Sequence, residues 1–168
     1  MKTRLFLFIY LLVFAAFGCT QKYGIIKTHA YTKKMTAGNI PVDENNQPLS
    51  SGVQKIHLLF IETKVQEAPN WDTAWIEGKG YTTELLKITQ AQLNIGKIKD
   101  GTEEVIIKPD NGNTLWQAML TPVQQNQQFS YSLSTNNPKE ILLMGTWKNK
   151  RVIYKIKKQT ELATVFGE

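Results

Sequence analysis

Trp71 and Trp75, with Tyr81 shortly after them, are the residues of this chain best suited to recognition chemistry. On an extended strand, positions i and i+4 share a face and stand about 13 Å apart. Two indole rings at that spacing could stack on sugar rings or form an aromatic hot spot for a protein partner. Tryptophan is also highly buried on average, which favours at least one of the two packing in a core. The other chemistry-bearing residues offer less. His29 and His57 have no companion histidine at metal-ligand spacing, and His57 lies in an apolar run where it reads as an ordinary strand residue. Asp43–Gln47 and Asp110–Asn113 carry oxygen ligands. Their carboxylates do not recur at alternate positions around a sixth-place glycine, so both read as turns rather than calcium loops. No GxSxG elbow, Walker loop, HExxH or dinucleotide fingerprint occurs. No catalytic residue, metal or cofactor is therefore expected, and the chain does not read as an enzyme.

Cys19 is the single cysteine, which excludes an internal disulfide, a CxxC redox pair and a cysteine zinc cluster. Its position is informative. Met1–Arg4 is short and positive, and Leu5–Phe17 is an unbroken apolar run. A membrane span needs about twenty such residues, so this run suits the hydrophobic region of a secretory signal better. The stretch Ala16-Phe17-Gly18-Cys19 then resembles the lipobox of bacterial lipoproteins. It keeps the cysteine and the small residue before it, and departs at Phe17, where a small residue is usual, and at Ala16, where leucine is commonest. The resemblance covers residues 1–19. It implies diacylglyceryl transfer to the Cys19 thiol, cleavage after Gly18, and acylation of the new amine with a palmitate-type chain. One acyl chain holds a membrane marginally, whereas two or more hold it stably. Thr20, in place of the aspartate that retains some lipoproteins at the inner membrane, favours the outer membrane.

The elements that must carry these residues are strands. Lys55–Glu62 is apolar at both alternations, as a central strand covered on two sides would be. Trp71–Tyr81 alternates, with Trp71, Thr73, Trp75 and Glu77 in one phase. Glu84–Thr89 and Ala91–Ile98 fit strands, with a short helix capped by Thr83 as the alternative. Glu103–Lys108, Thr114–Leu120 and Gln128–Ser134 follow, the last alternating most cleanly. Lys139–Trp147 and Arg151–Lys158, separated by a turn centred on Asn149, form a hairpin. Its lysines would protect an edge strand from pairing. Strands spaced by turn signals every ten residues or so describe a sandwich or barrel.

The expected organisation is a signal peptide at 1–18, a lipidated tether at 19–52 that could hold a first strand, and a β-domain at 53–168. The fold expected is all-β, a single antiparallel β-sandwich of immunoglobulin- or transthyretin-like general shape. A disordered Thr20–Ser51 would span on the order of 30 Å. Without Lys2 and Arg4 the balance is 18 basic against 14 acidic residues, a net +4. No basic run or aromatic-basic motif accompanies that charge, so nucleic acid is not an expected partner. The function expected is that of a non-catalytic accessory lipoprotein at the outer membrane. Its partners would be the membrane, through the lipid, and an envelope assembly of the transport or secretion kind. A glycan- or ligand-binding module using Trp71, Trp75 and Tyr81 is the alternative, and a small envelope enzyme or enzyme inhibitor stands behind it.

Overall fold

In a computed structural model, residues 22–36, 43–47, 52–64, 70–123 and 137–166 are described. After one turn at Lys22–Gly24 come eleven strands among these residues: β1 (Ile25–Thr36), β2 (Val53–Thr63), β3 (Asn70–Ile76), β4 (Lys79–Ile88), β5 (Leu93–Lys97), β6 (Glu104–Ile107), β7 (Thr114–Pro122), β8 (Ile141–Trp147), β9 (Lys150–Ile156), β10 (Thr160–Glu161) and β11 (Val165–Phe166). The all-β expectation holds, and residues 84–98 are strands rather than helix. Cys19 and the Gln128–Ser134 strand lie outside the described residues. None of the described helices is long and apolar enough to cross a membrane.

One large sheet runs β10-β1-β2-β7-β4-β3-β8-β9, with β11 also on β1, and β5-β6 form a separate hairpin. Its pairings are antiparallel, except for β10 and β11, which lie parallel to β1. The order is open, with β9 pairing to β8 alone, and together with the small hairpin the sheet makes a sandwich-like all-β fold. Three residues, 157–159, carry the chain from β9 at one end of the order to β10 at the other. At the opposite end of the strands the Trp147 ring sits against Gly24, where an added Cβ would lie 2.6 Å from it. The concave face is the main core. Ala30 of β1, Leu59 and Ile61 of β2, Trp116 and Ala118 of β7, Ala74 and Ile76 of β3 and Leu143 of β8 meet there.

The β5-β6 hairpin covers part of the convex face, packing Ile95 and Ile107 with Phe60, Leu115 and Leu162. β2 is thus buried on both faces, which is what its unbroken apolar run requires. Beneath this second layer lies Glu62, fully buried. Its Oε1 accepts from Asp110 N (2.8 Å) and Asn113 Nδ2 (2.7 Å), tying down the turn before β7. Its Oε2 faces His29 Nε2 at 3.9 Å.

β1 belongs to the domain. It pairs with β2 from Ile25↔Thr63 to Thr36↔Val53, and so supplies a first strand within the stretch 19–52. β9 ends the sheet order, and Lys150, Arg151 and Lys155 are exposed along it. This is the placement in which basic side chains guard an edge.

Candidate functional site

The three aromatic residues singled out by spacing do not form one surface, for two local reasons. The first is a bulge in β3. Trp71 pairs with Gly145 and Thr73 with Met144, leaving Asp72 as an extra residue. A bulge reverses the alternation on one side of it, so Trp71 joins Ala74 and Ile76 in the core rather than sharing a face with Trp75. Trp71 is 4% exposed and lies edge-on to Tyr23 and tilted on Tyr154, each at 6.2 Å between ring centres. The second reason is a two-residue turn at Glu77-Gly78, both at positive φ (51° and 77°), that splits the expected Trp71–Tyr81 strand into the β3-β4 hairpin. Such turns match the twist of the strands they join. Tyr81 therefore pairs with Ala74 and faces the concave side, while Trp75 is half-buried on the convex side. A platform built from Trp71, Trp75 and Tyr81 is excluded by this geometry.

What the fold does assemble is a polar mouth at one end of the concave face. The phase of β2 that buries Leu59 and Ile61 continues outward to His57 and Lys55. On the neighbouring strand the same row continues from Ala30 to Thr32, opposite His57, and Lys34, opposite Lys55. The parallel strand β10 adds Glu161 beside Thr32, with Gln159 just before it. Across the opening stand Glu77 of the β3-β4 turn and the Pro138-Lys139 turn. Together they enclose a cavity of about 360 Å³ lined by Thr32, Lys34, Lys55, Glu77, Lys139 and Gln159, with Glu161 at its edge. That is the lower end of the size range of small-molecule sites.

Most of the charge is already matched. Lys55 pairs with Glu77, and Glu161 receives Lys99 at 3.1 Å and Lys34 at 3.9 Å. The hydrogen bond from Lys99, ahead of its charge, holds the exposed Glu161 carboxyl below the usual carboxylate range. Lys139 has no carboxylate partner among the described residues. Behind the charges lies a neutral layer. His57 Nδ1 and Gln159 Oε1 share a hydrogen bond of 3.0 Å, and the His57 ring meets Tyr81 edge-on at 6.0 Å. Burial lowers the affinity of His57 for a proton, against the opposing effect of Gln159, so the ring is neutral at physiological pH. Burial, helped by Glu77, raises the Tyr81 phenol above its ordinary value. Gln159 is 7% exposed, and the far end of its amide is buried without a hydrogen-bond partner. A buried polar atom left without a hydrogen bond costs on the order of 1–3 kcal/mol.

The aromatic spacing in the sequence did not point to this site. One sequence signal did exist: Lys55 and His57 occupy the phase of Leu59 and Ile61, which marks one end of that face as polar. Nothing local announces Gln159 or Lys139, which arrive through tertiary closure. A group of three or more His, Cys, Asp or Glu side chains able to hold a metal does not occur among the described residues. Comparison of the chain with protein-family models, with curated proteins and with solved structures finds no match.

Proposed function

We propose that this chain is a non-catalytic accessory lipoprotein of the bacterial envelope, anchored through acyl chains on Cys19, and docking on an envelope assembly of the transport or secretion kind. The outer membrane is the favoured site, on the identity of Thr20. The observation that carries the reading is the polarity of the domain along β1. Ile25, where the described sheet begins, stands about 37 Å from Thr36 at a rise of about 3.4 Å per residue. Five residues lie between Cys19 and Ile25, and the six steps they make reach at most about 21 Å. An acylated Cys19 therefore keeps the Ile25 end near the lipid and turns the Thr36 end outward.

At that outward end the side chains are unusually apolar. Met35, Val53, Val165 and Phe166 are 36%, 48%, 39% and 76% exposed. Cross-strand pairing sets them at the same rim on the two faces of the sheet, Val165 beside Met35 on one, and Phe166 and Val53 on either side of Thr36 on the other. Exposed apolar clusters of this kind mark interaction surfaces. The test has two parts. Wild-type protein should incorporate labelled fatty acid and Cys19→Ser should not. With an affinity tag in the exposed stretch 89–92, gentle solubilisation should recover a stoichiometric complex that Phe166→Ser with Val53→Ser disrupts. A Cys19→Ser protein that still takes up label defeats the anchor, and an unaltered complex defeats the docking surface.

The ligand-binding alternative keeps a separate observation of its own. It passes from the tryptophans to the mouth cavity, where a buried amide end lies without a hydrogen-bond partner.

A further inference from the structure

We infer that the mouth cavity is a binding site for a small hydroxylated oxyanion, a sugar acid or sugar phosphate in size and chemistry. The inference rests on the ligand-binding alternative and is independent of docking by the apolar rim.

The geometry selects the class in three steps. The cavity, at about 360 Å³, is large enough for a monosaccharide-sized solute. Its lining carries Lys34, Lys55 and Lys139 against Glu77 and Glu161, and both acids are engaged by lysines already. The uncommitted polarity is one ammonium group, on Lys139, and the free end of the Gln159 amide. An anionic ligand oxygen accepts from a lysine ammonium as a charge-assisted hydrogen bond, the stronger kind. The amide, held by His57 at its other end, is fixed in place before a ligand arrives, which lowers the entropic cost of binding.

The remaining lining explains why hydroxyls should accompany the anion. The Lys55–Glu77 and Lys34–Glu161 pairs present donors and acceptors side by side. A hydroxyl both donates and accepts, so it can bridge such a pair without breaking it. A second free carboxylate or phosphate would instead meet Glu77 and Glu161 as like charges.

The test is calorimetric titration of the full-length, detergent-solubilised protein with glucuronate, glucose 6-phosphate, glucose and inorganic phosphate. At least one of the two hydroxylated anions should bind about tenfold or more tighter than glucose and than inorganic phosphate, a margin of one good polar contact. Glucuronate and glucose 6-phosphate separate a carboxylate ligand from a phosphate one. Lys139→Ala, at an exposed turn, should weaken that binding about tenfold while leaving the melting temperature unchanged. Gln159→Leu removes the unpartnered amide end and should weaken it likewise. The inference is overturned if no anion binds, if inorganic phosphate binds as well as the sugar compounds, or if Lys139→Ala binds like wild type. A loss of copurifying protein in the rim variant, with titrations unchanged, separates this site from the docking surface.

Discussion

Replacing Gly145 by alanine tests the bulge that sets the direction of Trp71. A Cβ at residue 145 would lie 2.1 Å from Asn70 O, 2.8 Å from Trp71 Cα and 2.9 Å from the Asn70 carbonyl carbon. All three are backbone atoms of the facing strand, so no side-chain rotation relieves the clash. Restoring ordinary contact, near 3.5 Å, requires β3 to move away from β8 by about 1.4 Å. That shift loosens the ladder around Trp71↔Gly145, with about 1 kcal/mol per hydrogen bond at stake. Overpacking adds about 1–3 kcal/mol, and the lower chain entropy of alanine returns about 0.4–1 kcal/mol. The net expectation is a loss of about 3 kcal/mol, or roughly 10 °C in melting temperature for a chain of this length. Gly101→Ala is the control, since its Cβ would meet only Ile98 atoms at 3.5–3.9 Å, and it should melt within about 2 °C of wild type. Thermal unfolding followed by circular dichroism reads both. A Gly145→Ala protein that melts with the control refutes the argument that close strand approach at Gly145 holds the bulge.

Two further outcomes follow from the buried polar groups. Burial lowers the proton affinity of His29, with Lys27 adding to it, and burial does the same for His57, each from an ordinary value of 6.5. The unfolded chain then binds more protons than the folded one below that value, so stability rises with pH through this window. Urea unfolding at pH 5.5 should give a lower midpoint than at pH 7.5, and His29→Gln should flatten the difference. A pH-independent midpoint would contradict it. Glu62→Ala should cost about 3 kcal/mol, because Asp110 N and Asn113 Nδ2 lose their shared acceptor at a buried position. Denaturant titration measures the loss, and hydrogen exchange should show the Asp110 amide deprotected.

Much of the strand content was legible because each strand signals itself locally. The two-phase apolar run of β2 announced a strand covered on both sides, and the hairpin turn at Lys148-Asn149 was readable from its residues; both stand at positive φ. β1 was half legible, since its apolar positions are diluted by Lys27, Lys33 and Lys34, and only pairing to β2 makes the first strand plain. The aromatic surface was misread because face assignment assumes unbroken alternation. One extra residue at Asp72 and a turn at Glu77-Gly78 overturn that assumption, and both depend on what lies across the sheet. The mouth was nearly invisible for the same reason: Gln159 meets His57 across 102 positions of chain.

That separation bears on how the molecule is made. The pairing of Tyr31 with Thr160 closes a loop of well over a hundred residues, and contacts so distant in sequence slow folding toward the millisecond-to-second range. The outer edge of β1, complete once residue 36 has been synthesised, waits for the last strands, which pair with it at Tyr31–Thr32 and Met35–Thr36. Any chain that stops short of β10 leaves that edge open along twelve residues, an invitation to pair with another copy. Quality control of this protein thus falls on β10 and β11: loss of residues 160–166 should yield aggregation rather than a slightly weaker fold.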